Sequence, residues 1–121
     1  MKLRLPAAPA GLRRGGRGRR LWREVLGVLD LDGHEAALLA EACRTLDLLD
    51  NLGEEARRLG SLLPDGRIQP CIVEARLQRI ALSRIIASLR LPADMTQPER
   101  RPQRRNAARG AYGFRVVGRD A

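Results

Sequence analysis

Residues 32–59 read DGHEAALLAEACRTLDLLDNLGEEARRL. Leu38, Leu39, Ala42, Leu46, Leu49, Leu52, Ala56 and Leu59 recur every three or four residues, the period of one helix face. Glu41, Arg44, Asp47, Asp50, Glu54, Glu55 and Arg58 fall mostly on the other side. Asp32, with Glu35 three residues later, has the signature of a capping box, so the spacing predicts a helix from 33 to 59. Gly53 weakens it by about 1 kcal/mol relative to Ala and is expected to mark a bend. A helix of this length in a small domain needs a long partner.

That partner follows a turn. Pro64, Asp65 and Gly66 are breakers in the order a turn prefers. Pro70 suits a first helical position, where its missing N–H costs nothing. A third helix is therefore expected from 70 to 91, stopped by Pro92. Two long helices with a short connection lie antiparallel. Upstream, Leu21, Trp22, Val25, Leu26 and Leu29 make one apolar stripe and predict a short helix over 18–29, with Trp22 as its packing anchor. Only three residues are aromatic, so the core must be aliphatic. The expected fold class is all-α: a short N-terminal helix plus a long antiparallel helical hairpin, with flexible basic N- and C-terminal tails and no sheet.

The third helix is apolar on more than one side. Val73, Leu77, Ile80 and Arg84 share one line, and Ile72, Leu82, Ile85, Ile86 and Leu89 widen the sector beyond what a three-helix unit needs. The surplus is expected at an interface between copies of the chain, carried by Leu82, Ile85, Ile86 and Leu89. On that reading Ile86→Glu would leave a helical but smaller species. The other reading is that the N-terminal helix covers this surface.

Charge is segregated along the chain. Residues 1–20 carry seven basic side chains and no acid. Residues 21–91 carry nine Arg against eleven acids, and residues 92–121 seven Arg against three. The net charge is +9. The expected organisation is a disordered basic arm over 1–17, a helical core and oligomerisation domain over 18–91, and a basic Pro/Arg/Gly-rich tail over 92–121. Arg clustered at both ends is the footprint of a polyanion binder. The expected DNA contacts are Arg13, Arg14, Arg17, Arg19 and Arg20 in the arm and Arg100, Arg101, Arg104, Arg105 and Arg109 in the tail. Replacing Arg100, Arg101, Arg104 and Arg105 with Ala is expected to weaken binding and flatten its salt dependence. Tyr112 and Phe114 could stack on unpaired bases or dock on a partner protein.

Catalytic signals are sparse. His34 is the only histidine, and Cys43 and Cys71 are the only cysteines. One His and two Cys do not make a four-ligand zinc site; two reduced core thiols are expected, with no metal and no cofactor. No Gly-rich loop ends in the Lys-Ser/Thr of a phosphate cradle. An enzyme is not expected. No apolar run is long enough to span a membrane, and MKLRLPAAPAGLRR lacks the apolar stretch of a secretory signal, so the expected location is the cytoplasm.

The segment from Gln69-Pro70-Cys71-Ile72-Val73-Glu74-Ala75-Arg76-Leu77-Gln78-Arg79 to Ser88-Leu89-Arg90-Leu91-Pro92 resembles a stretch of phage terminase small subunits, in the short helical type common in actinobacterial phages and prophages. Gly18-Arg19-Arg20-Leu21-Trp22-Arg23-Glu24-Val25, Leu31-Asp32-Gly33-His34-Glu35, Leu38 to Thr45, and the tail from Arg100 to Gly113 agree in collinear order. Gln69 and Cys71 depart from the His and Ala usual around Pro70, and the preceding turn is shorter than in many relatives. The resemblance implies a non-catalytic subunit of the DNA-packaging motor. Such a subunit forms a homo-oligomeric ring, binds double-stranded viral DNA in the host bacterial cytoplasm and presents it to the terminase large subunit, which carries the ATPase and nuclease. The competing readings are a small basic RNA- or nucleoid-binding protein and a helical adaptor whose basic ends meet an acidic protein.

Overall fold

The apolar periods become three helices: α1 (Arg17–Leu26), α2 (Gly33–Leu59) and α3 (Pro70–Leu89). The computed structural model describes residues 5–93 and the two-residue strand Gln103–Arg104. α2 and α3 pack on each other as a helical hairpin, and α1 lies on α2. The fold is all-α, as expected.

The termini of these helices follow local chemistry. At the start of α2 the Glu35 N–H donates to Asp32 Oδ1, and the Asp32 N–H donates to Glu35 Oε1, each at 3.3 Å. These two bonds satisfy donors that the first helical turn leaves without partners. α2 then runs unbroken through Gly53. In the connection, the Gly66 N–H donates to the Leu63 carbonyl at 2.9 Å, and the Leu63 N–H to the Arg67 carbonyl at 2.7 Å. Gly66 has φ +88, a conformation that side chains resist and glycine adopts freely. Pro70 opens α3, as its missing N–H allows.

The core is Leu12, Trp22, Val25, Leu29, Leu39, Cys43 and Leu89. It gathers where α1 crosses α2 and the C-terminal half of α3. This placement gives part of the expected interface another role, within one copy of the chain. Leu89 is fully buried, and Ile85 and Ile86 pack against the core. Leu82 is half-buried. Ile85, Ile86 and Leu89 thus serve the core of a single copy, so a charge introduced by Ile86→Glu would disturb that core and destabilise the fold. The outward line of α3 is instead Val73, Leu77 and Ile80, which are 39%, 52% and 45% exposed. Ala75, buried, sits on the inner side, seven residues before Leu82 and fourteen before Leu89.

The N-terminal segment also differs from expectation. Residues 5–16 are seated on the helices rather than disordered. Leu12 is 5% exposed within the core. The Trp22 Nε1–H donates to the Pro6 carbonyl at 3.0 Å, and the Arg13 N–H donates to Asp47 Oδ2 at 2.7 Å. Pro and Gly prevent a helix here, but one apolar anchor and two hydrogen bonds to the body suffice to fix an irregular path. A second departure is small. Strand β1 (Leu29–Asp30) pairs in parallel with β2 (Gln103–Arg104), Leu29 opposite Gln103 and Asp30 opposite Arg104. Two residues are too few to show a period-two pattern.

The two thiols should behave differently. Cys43 is buried and Cys71 half-buried. Burial, reinforced by the nearby Asp47 carboxylate, pushes the Cys43 thiol from 9.0 up to about 11. At neutral pH the native chain should take up one equivalent of a thiol-alkylating reagent, at Cys71, and a second only after unfolding, because the thiolate is the nucleophile. Rapid labelling of both thiols in the native state would contradict the buried position of Cys43. The linked pH effect has a definite sign. Between pH 9 and about 11 the unfolded chain loses the Cys43 proton while the folded chain retains it. Stability should therefore fall across that window and be indifferent to this thiol below it.

Candidate nucleic-acid interface

The site is built around Gly18. The first turn of α1 rests directly on α2: a Cβ at position 18 would lie 2.6 Å from the Cys43 carbonyl oxygen and 2.8 Å from Asp47 Oδ1. Only glycine admits this approach. Asp47, 6% exposed, uses it to bind two backbone donors. Its Oδ1 accepts the Gly18 N–H at 3.1 Å and its Oδ2 accepts the Arg13 N–H at 2.7 Å. An internal carboxylate thus occupies the positive end of α1, where a negative charge is favoured.

This seat turns the Arg-rich segment toward a groove between the N-terminal segment, α2 and α3. The groove encloses about 600 Å³. Arg13, Arg14, Arg17 and Arg20 line it from one side, Arg57 of α2 and Arg79 of α3 from the other. Leu46, Leu49 and Leu82 contribute apolar wall, and Asp50 and Glu54 are its two acids.

Those acids are taken. Arg17 grips Asp50 with two bonds, Nη2 to Oδ1 at 2.7 Å and Nε to Oδ2 at 3.1 Å. The hydrogen bond to Asp50, and then its charge and that of Asp47, raise the Arg17 pKa above its ordinary value against the opposing effect of burial. Arg13 reaches Glu54 Oε2 at 3.1 Å and Asn51 Oδ1 at 3.3 Å. Arg14, Arg20, Arg57 and Arg79 are all exposed, and among the described residues none has a carboxylate within ion-pair distance. Four unpaired guanidiniums facing one groove form a strongly positive surface with the planar donor geometry that suits phosphate.

Of the expected DNA contacts, Arg13, Arg14, Arg17 and Arg20 come together here. Arg19 does not. It is half-buried on another side of α1, where it lines a smaller cleft with Leu5, Pro6 and Trp22, and its Nε is buried without a hydrogen-bond partner among the described residues. Arg100, Arg101, Arg105 and Arg109 lie outside the described residues, as do the side chain of Arg104 and the residues Tyr112 and Phe114.

Arg57 and Arg79 are contributors that charge segregation misses, because both sit in a stretch whose charges nearly cancel. The spacing along α2 holds a usable signal. Leu46, Leu49, Asp50, Gly53, Glu54 and Arg57 are separated by steps of three, one, three, one and three residues and share one helix face. The natural partner of Arg57 on that face is Glu54, and Glu54 is occupied by Arg13. The neighbouring Arg58 has Glu55.

His34, exposed at the first turn of α2, places Nδ1 at 3.1 Å from Asp32 Oδ1 and takes no part in the groove. No helix among the described residues is long and apolar enough to cross a membrane. No protein-family model matches the chain, and neither does any curated protein or solved structure.

Proposed function

We propose that this chain is a non-catalytic DNA-binding subunit that grips duplex DNA by its phosphates. The observation that carries this reading is the groove whose Arg14, Arg20, Arg57 and Arg79 have no carboxylate partner among the described residues. Phosphate contacts of this kind supply affinity and orientation without reading sequence. The resemblance noted above makes the reading more specific. It is that of a phage terminase small subunit, which works in the host bacterial cytoplasm, binds the double-stranded viral DNA and hands it to the terminase large subunit.

Self-association into a ring belongs to the same proposal, with its interface moved. The exposed line of Val73, Leu77 and Ile80, with Leu59, Leu62 and Ile68 exposed near the tip of the hairpin, supports it. Leu77→Glu should leave helicity unchanged and lower the mass measured by light scattering. A monomeric wild type at micromolar concentration would remove the oligomer from the proposal.

DNA binding itself is tested by titrating the full chain with a short labelled duplex at several salt concentrations. The affinity should fall steeply as salt rises. Absent or salt-independent binding would overturn the reading.

A further inference from the structure

The acids of the groove do two separable jobs. Asp47 is the seat: buried, it holds the main chain at Arg13 and Gly18. Asp50 and Glu54, one and two turns further along α2, touch side chains only. Asp50 engages Arg17, and Glu54 engages Arg13. A carboxylate gripped by both Nε and Nη2 of Arg17 occupies the same fork that a phosphate would use.

We propose that Asp50 and Glu54 are internal competitors for phosphate, which hold Arg17 and Arg13 away from the ligand and so set the affinity of the groove. This rests on the reading of the groove as a DNA interface. Both pairs are solvent-exposed, with the side chains 42% and 52% accessible for Arg13 and Glu54, and 50% and 29% for Arg17 and Asp50. Exposed ion pairs contribute little to stability, so a phosphate can displace them without unfolding the segment that Asp47 seats. The order of events follows from the pairing. Arg14, Arg20, Arg57 and Arg79 engage the backbone first. Neighbouring phosphates of the same chain are then presented to Arg13 and Arg17 at high effective concentration, and the carboxylates are exchanged out. Binding is thereby weaker than the number of groove arginines suggests, which keeps a packaging subunit able to release DNA.

The test uses the full chain and a short duplex of mixed sequence, with affinity measured across a range of salt. Wild type is compared with D50N/E54Q, with R13Q/R17Q and with the combination of all four changes. Asn and Gln keep the size and an acceptor oxygen, and Asp47 is untouched, so circular dichroism should be unchanged. D50N/E54Q should bind roughly tenfold more tightly, with the slope of log K against log salt little changed, because Arg13 and Arg17 reach the same phosphates in both complexes and only the cost of displacing the carboxylates is removed. The gain should vanish when Arg13 and Arg17 are also replaced. If the gain persists without those arginines, the acids act only through bulk charge and the proposal is overturned. If D50N/E54Q binds as wild type does, or more weakly, the acids are structural and the proposal fails while the DNA reading stands. If neither wild type nor D50N/E54Q binds the duplex, the DNA reading fails and takes this inference with it.

Discussion

Gly18→Ala should destabilise the protein by about 1–3 kcal/mol, the range of core overpacking. The expectation from helix propensity has the opposite sign, since Ala in place of an interior helical Gly stabilises by about 1 kcal/mol. The close approach decides which effect wins. A methyl group at position 18 would stand 2.6 Å from the Cys43 carbonyl oxygen, which is backbone and cannot swing aside. Relieving that clash lifts α1 off α2, lengthens the Gly18 to Asp47 bond and leaves a buried carboxylate short of a donor. A unit this small has only about 3–5 kcal/mol of core stability to lose. Gly53→Ala is the matched control. Its new methyl meets nothing closer than the Arg57 Nη1 at 3.8 Å, the mobile end of a long side chain. It should raise the unfolding midpoint in urea while Gly18→Ala lowers it. Equal shifts at the two positions would refute the close-packed seat.

Much of this fold is legible in the sequence because its signals are strong and local. The stripe from Leu38 to Leu59, the Asp32–Glu35 box and Pro70 each state one helix boundary or face. What fails does so for physical reasons. α3 is apolar on several sides, so its period does not say which side faces inward. That is decided by where α1 lands, and α1 is positioned by Gly18 and Asp47 through contacts 29 residues apart in the chain. The N-terminal segment offers a single buried side chain, Leu12, which has no period to detect. Its order comes from hydrogen bonds to Asp47 and from Trp22, both supplied by other elements.

The candidate site divides in the same way. Segregated charge points to Arg13, Arg14, Arg17 and Arg20, because nothing acidic lies near them in sequence. It also selects Arg19, which the helical phase carries to a different side. It passes over Arg57 and Arg79, whose local surroundings are neutral. Summed charge is blind to pairing: Glu54 belongs to Arg13, 41 residues away, and not to Arg57 three residues away.

Replacing Arg14, Arg20, Arg57 and Arg79 together with Gln should abolish most duplex binding that does not depend on the tail. Four lost phosphate contacts correspond to a drop of roughly a thousandfold at about 0.1 M salt, with the fold intact, because among the described residues none of these side chains has an ion pair to lose. Gln retains length and polarity and removes only the charge. The effect should be uniform across DNA sequences, since phosphates carry no sequence information.

The proposed phosphate grip of these four arginines, unpaired among the described residues, is tested most directly by the salt dependence of binding. Affinity of wild type and of the fourfold variant for one short duplex should be measured over the same salt series. The slope of log K against log salt should become shallower by about 3.6 in the variant, at −0.9 for each contact. An unchanged slope, with the variant folded, would show that the groove does not carry the phosphates and would contradict the account.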